Sequence, residues 1–247
     1  MKKNIFSLLF IFIFSIPLFP GEKLDLMESI IKNYAQFNSI SGSIEQHIFN
    51  PDGSYHRLSG DYAASGSGLL RIDYYSPSRQ TVVSNSEGLF WYYPDRDILF
   101  VSKSGSSKNE SLPAFIKRIS EKGGDNISLK YEGRFFYGFF RRAHVYRINL
   151  KNKTGIRVWV EPEGRYILRK YVLDSAGREI VKELYSDYIE SDGIYIPSVI
   201  ELHVRTASGT VRTLTEYTNL RVNNVIKDSL FDFRIKSSMD VRSLDDN

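Results

Sequence analysis

No cysteine occurs in the 247 residues, which excludes disulfides, zinc–thiolate sites, thiol catalysis and lipidation of an N-terminal cysteine. The histidines His47, His56, His144 and His203 stand singly, outside any H-x-x-H or H-E-x-x-H spacing, so no metal site is expected. No P-loop or dinucleotide fingerprint is present, and the glycines sit at turns instead. Ser67 in Ser65-Gly66-Ser67-Gly68 lacks the first glycine of a nucleophile elbow and reads as a hairpin tip. Asp245-Asp246 lies in a polar tail, and Asp187 with Glu190 flanks a turn, as solvated carboxylates do. The chain therefore shows no catalytic set and no cofactor motif, and a non-enzymatic protein is expected.

Charge of one sign is also lacking. The formal net charge is only +4, and without Lys2 and Lys3 it falls to 31 basic against 29 acidic residues. This balance does not suit nucleic acid, and a modest attraction to anionic lipid is the most it supports. The one long apolar run, Ile5 to Phe14, is too short for a spanning helix, which needs roughly 20 residues. Lys2 and Lys3 before it and Pro17 and Pro20 after it give residues 1–21 the layout of a secretory signal peptide, cleaved near Gly21 or retained as an uncleaved anchor. Residues 22–247 suit one all-β domain.

Aromatics, by contrast, are plentiful, with 16 Tyr and 16 Phe, enough for a substantial core. Met27, Ile30, Ile31, Tyr34 and Phe37 recur at helical spacing and predict one amphipathic helix over residues 23 to 37. Short alternating strands follow at 43–49, 55–63, 69–75, 79–85, 88–93 and 97–102, separated by turn residues such as Pro51-Asp52-Gly53 and Ser76-Pro77. Leu112, Phe115, Ile116 and Ile119 then predict a second short helix, N-capped by Ser111 and ended by Gly123-Gly124. Strands resume at about 127–132, 144–150, 155–161, 165–173, 178–188, 195–205 and 210–221. Such a string implies a single large antiparallel sheet curling toward a barrel, with two helices to cover its mouth.

Alternation assigns Leu70, Ile72 and Tyr74 to the inner, ligand-binding face, together with Phe90 and Tyr92 from a neighbouring strand. Met27, Ile31, Tyr34, Leu112, Phe115, Ile116 and Ile119 are the candidates to face that surface from the lid. The run Arg134-Phe135-Phe136-Tyr137-Gly138-Phe139-Phe140-Arg141-Arg142 reads either as a docking loop for a membrane or partner or as an ordinary hairpin with a large tip.

Several segments, in this order, resemble the LolA-type outer-membrane lipoprotein carrier family. They are Phe37-Asn38-Ser39-Ile40, Ile44-Glu45-Gln46, Gly60-Asp61-Tyr62, Leu69-Leu70-Arg71-Ile72, Tyr75-Ser76-Pro77 and Gly88-Leu89-Phe90-Trp91-Tyr92-Tyr93-Pro94. Asp228-Ser229-Leu230-Phe231-Asp232-Phe233 is similar to the family's closing strand. The resemblance implies an incomplete, half-open β-barrel with helices as a lid over an apolar cavity. It also implies a monomeric periplasmic carrier that takes the acyl chains of lipoproteins from an inner-membrane lipoprotein-releasing ABC transporter toward an outer-membrane acceptor. A lipid- or lipoprotein-sensing regulatory module on the same fold is the alternative. Two features depart from the family pattern. Gly66-Ser67 stands where family carriers place an arginine-proline pair, so an arginine latch does not carry over. The stretch from Tyr131 to Ile200 is longer than in typical members.

Overall fold

The computed structural model describes residues 22–102, 127–137, 141–150, 155–163 and 165–244. The first helix forms as its periodicity predicts, at Glu22–Ala35 (α1). Its last turn tightens through bonds from Gln36 N to Asn33 O (3.3 Å) and Phe37 N to Tyr34 O (3.0 Å), which release the chain directly into the first strand. The expectations placed on residues 1–21 and on the helix of Leu112, Phe115, Ile116 and Ile119 lie outside the described residues.

Six strands follow α1: Ser39–Phe49 (β1), Tyr55–Ser65 (β2), Leu70–Ser76 (β3), Gln80–Asn85 (β4), Gly88–Tyr93 (β5) and Ile98–Ser102 (β6). The second half supplies Ile127–Tyr137 (β7), Arg141–Leu150 (β8), Gly155–Val160 (β9), Ile167–Leu173 (β10), Glu179–Ser191 (β11), Ile194–Thr206 (β12), Gly209–Val222 (β13) and Asp240–Ser243 (β14). Together they make one open, curved sheet in the order β14-β6-β5-β4-β3-β2-β1-β13-β12-β11-β10-β9-β8-β7. All pairings are antiparallel except that of β14 with β6. The two halves meet where β1 pairs with β13, placing Ile44 opposite Tyr217.

Local turn chemistry sets these hairpins. Between β10 and β11, the Asp174 carboxylate accepts from the backbone N–H groups of Ala176 (2.9 Å) and Arg178 (2.8 Å), while Gly177 takes the left-handed φ of 78°. Gly60 answers to a different need. A β-carbon there would sit 2.4 Å from the Asp73 carbonyl oxygen, because β2 and β3 come together at a register shift beside it. Gly60→Ala should therefore destabilise the protein by about 1–3 kcal/mol in urea unfolding, since backbone on both strands must part. An unchanged midpoint would show that the shift relaxes freely.

The closing strand is a correction. Asp228–Phe231 forms a 3-10 turn rather than a strand, and β14 (Asp240–Ser243) closes the sheet further along. The reason is packing: Phe231 is buried, and Phe233 stacks on Phe90 at 5.2 Å, so the segment lies across the sheet as a second layer before reaching its edge.

Candidate functional site: the inner face beneath the first helix

One contiguous core lines the face of the sheet on which α1 sits. Met27, Ile30, Tyr34 and Phe37 are completely buried there, with Ile40 and Ile44 of β1, Tyr62 of β2, and Ile72 and Tyr74 of β3. From the second half come Tyr146 and Ile148 of β8, Val158 of β9, Tyr185 of β11, and Ile194 and Ile196 of β12. Of the residues assigned to the lid, Met27 and Tyr34 are buried in this core and Ile31 is partly buried against it. The phenol of Tyr34 donates a short hydrogen bond to the Tyr195 carbonyl, tying the helix end to β12.

The face is apolar but carries satisfied polar groups. Tyr74 donates a short bond to Gln46 Oε1, and Gln46 Nε2 donates to Thr215 Oγ1 at 3.1 Å. Buried Lys170 pairs with Glu183 at 2.7 Å, and the phenol of Tyr185 donates to the other oxygen of the same carboxylate. Desolvation by burial pushes the phenols of Tyr34, Tyr62, Tyr74 and Tyr185 well above their ordinary value of 10.0. Each stays neutral at physiological pH. Among the described residues no group of three His, Asp or Glu side chains could hold a metal ion.

The placement of Phe90 and Tyr92 requires correction. In the register, Arg71 lies opposite Val83 and Val83 opposite Phe90, while Ile72 lies opposite Val82 and Val82 opposite Trp91. Phe90 and Tyr92 therefore share the outer face with Arg71 and Asp73, and Leu70, Ile72 and Tyr74 share the inner face with Leu89, Trp91 and Tyr93. On the outer side, Phe90 joins Val83 and Leu99 in a second small core, with Tyr92, Phe233 and Met239 packed against it. Arg71 Nη1 donates to the Leu230 carbonyl at 3.1 Å and Asn85 Nδ2 to that of Phe231 at 3.0 Å, pinning the C-terminal segment over it. Both faces of β5 are thus apolar, and alternation alone could not say which of its two phases points inward.

On the inner side, Leu89, Trp91, Tyr93 and Phe100 remain half-buried, extending the apolar face beyond the part that α1 fills. Trp91 stacks on Tyr93 at 5.5 Å and donates from Nε1 to the buried Gln80 at 3.0 Å, and Tyr93 meets Phe100 edge-on at 5.9 Å. These inner-face aromatics, and those of β8 to β12, escaped the sequence reading. The available signal was the opposite phase of Gly88-Leu89-Phe90-Trp91-Tyr92-Tyr93. At the position of the missing arginine, the Gly66 N–H bonds to the Asn38 carbonyl at 2.7 Å, and Ser67 bonds to Ser65 at 2.6 Å. A separate open groove of about 680 Å³ lies on the outer face, with a mixed polar and apolar lining that includes Glu45, Arg57, Ser59, Tyr75, Pro77 and Glu216.

No protein-family model and no curated protein sequence matches the chain. Solved structures do. A DUF1329 family protein from Desulfovibrio piger superposes with a TM-score of 0.65 at 15% identity, covering 85% of this chain and 96% of its own. A domain assigned to outer membrane lipoprotein sorting from Vibrio parahaemolyticus gives 0.61 at 11% identity, over 85% and 96%. A LolA superfamily protein from Nitrosomonas europaea gives 0.59 at 12% identity, over 85% and 97%. With one large open, curved sheet and a helix seated on its inner face, this chain has the LolA-like fold.

Proposed function

We propose that the protein is a periplasmic carrier that holds the acyl chains of lipoproteins against the inner face of its sheet, with α1 as the element the cargo displaces. The observation that carries this reading is the three completely buried side chains of α1, Met27, Ile30 and Tyr34, on an apolar face that continues, half-buried, past the helix to Trp91 and Phe100. Transfer of an acyl chain from water releases about 0.8 kcal/mol per methylene, so several chains together supply ample free energy to lift one short helix. Release to an acceptor then needs only that α1 compete for the same surface. Export rests on Lys2, Lys3 and the Ile5–Phe14 run. The donor, an inner-membrane ABC transporter that releases lipoproteins, and an outer-membrane acceptor complete the proposal on the strength of the family resemblance.

Competition makes a counter-intuitive prediction. Ile30→Ala removes packing from the helix side alone and should weaken its docking by about 2–5 kcal/mol. A ligand that binds only when the face is free then gains apparent affinity as the free fraction rises, on the order of tenfold or more until that fraction saturates. Titration of a fluorescent fatty acid should therefore show tighter binding to a less stable protein. Equal or weaker binding by Ile30→Ala would mean that α1 is fixed core. Unchanged lipoprotein localisation in cells lacking the gene would rule out the carrier role itself.

A further inference from the structure

The chain's basic charge is concentrated in one place. From Gly133 to Val160 the sequence holds seven lysines and arginines and no aspartate or glutamate, although the whole chain carries only +4. The remainder is therefore net acidic. This stretch spans the second half of β7, β8 and β9, with Arg134, Arg141 and Arg142 on the β7–β8 hairpin, and β7 is the terminal strand of the sheet. At the hairpin's distal end, Tyr137 pairs with Arg141, Phe136 with Arg142 and Phe135 with Ala143. Arg147 and Arg157 are matched by Glu132, at 3.9 and 2.7 Å. Arg134, Arg141 and Arg142 form no ion pair with a carboxylate among the described residues, and all three are exposed.

Aromatic rings project from both sides of this end. Phe136 is 65% exposed, with the Arg142 guanidinium 5.0 Å from its ring centre. Phe135, on the opposite side by alternation, is 46% exposed and meets Trp159 at 5.8 Å. Arg169 is held over the rings of Tyr137 (4.5 Å) and Trp159 (5.3 Å). Tyr75 (59%) and Tyr55 (50%) are exposed elsewhere on the sheet, but here two exposed phenylalanines stand beside three arginines that no described carboxylate pairs.

We propose that the distal end of the β7–β8 hairpin docks on an anionic phospholipid surface, the rings of Phe135 and Phe136 entering the headgroup layer and Arg134, Arg141 and Arg142 pairing with lipid phosphates. Charge complementarity selects this occupant. Arginine beside aromatic side chains is the composition that settles at a membrane interface, where rings prefer the headgroup level and cations the anionic surface. A second copy meeting this end through the same surface would bring Arg134, Arg141 and Arg142 against their own counterparts, and this like-charge contact disfavours it. The inference is independent of the carrier reading, because it concerns the sheet edge and not the inner face.

The test is sedimentation of the full chain with vesicles of phosphatidylethanolamine and phosphatidylglycerol, against vesicles of phosphatidylcholine alone. The wild type should bind the first and not the second, and raised salt should weaken it. Arg141→Gln with Arg142→Gln should weaken partitioning on the order of 30-fold, at about fivefold for each cation near the surface. Phe135→Ser with Phe136→Ser should also weaken it while unchanged circular dichroism confirms the fold. Both double variants should keep fluorescent fatty acid binding, which separates this surface from cargo capture. No wild-type binding, equal binding to phosphatidylcholine, or variants that sediment like wild type would overturn the proposal. So would a wild-type dimer that the phenylalanine variant converts to a monomer, since it would name a second copy as the occupant.

Discussion

Raising the pH above 10 should unfold this protein in one cooperative step, with phenolate absorbance and the loss of β-sheet circular dichroism rising together. Tyr34, Tyr62, Tyr74 and Tyr185 are buried in one core, and desolvation holds each phenol above its ordinary value of 10.0. Tyr185 resists further because its hydroxyl already faces the Glu183 carboxylate. A group with a raised folded pKa binds its proton more tightly when folded, so its stabilisation is fully present below the unfolded value and is lost as pH climbs past it. Each such phenol removes about 1.4 kcal/mol per pH unit in that window. Four acting together remove about 5 kcal/mol per unit, against a total domain stability of about 5–15 kcal/mol. One to three pH units should suffice. Smooth ionisation of these four phenols with the fold intact would mean that water reaches the inner face far more freely than its packing implies.

A paired comparison of Ile72→Glu and Phe90→Ala should separate the two faces of the sheet. Ile72 lies opposite Tyr62 in the core beneath α1 and is 8% exposed, so a carboxylate there is buried without a partner, which costs several kcal/mol. Phe90, 3% exposed, is buried against Phe233 instead, and its truncation should cost about 3–5 kcal/mol. At roughly 2–4 °C per kcal/mol for a chain of this size, both should lower Tm by on the order of 10 °C. Ligand binding should nevertheless split them. Measured well below either transition, fluorescent fatty acid affinity should be lost in Ile72→Glu and retained in Phe90→Ala. The reverse outcome would move the binding surface to the outer side, under the C-terminal segment.

Under the proposed carrier role, one sheet serves as both cargo surface and stable domain. Fourteen strands leave more inner face than a fourteen-residue helix covers. The part under α1 is closed by Met27, Ile30, Tyr34 and Phe37, and the part over β5 and β6 is only half-closed among the described residues. In the proposed mechanism a ligand gains its first hold at the half-buried Trp91 and Phe100 before any of the core beneath α1 is opened. That sequence of events keeps the number of apolar side chains exposed at one time small.

Much of this was legible before any coordinates. The 3.6-residue spacing of Met27, Ile30, Ile31, Tyr34 and Phe37 can bury those side chains only as a helix, and alternation bounded by turn residues located the strands of β1 to β6 within a few residues. Leu70, Ile72 and Tyr74 lie on the inner face as their alternation required, because the polar partners of the opposite phase, Arg71 and Asp73, left no other choice. Phe90 and Tyr92 had no such polar partner: Leu89, Trp91 and Tyr93 between them are equally apolar. Their direction depends on the register with β4, and their outer site exists only because Phe231 and Phe233, some 140 residues later in the chain, return to cover them. The same return decided that Asp228–Phe231 would be a packed turn and Asp240–Ser243 a strand. Periodicity reports which residues must leave water. Which surface receives them is set by contacts distant in sequence, and those form only when the sheet is assembled.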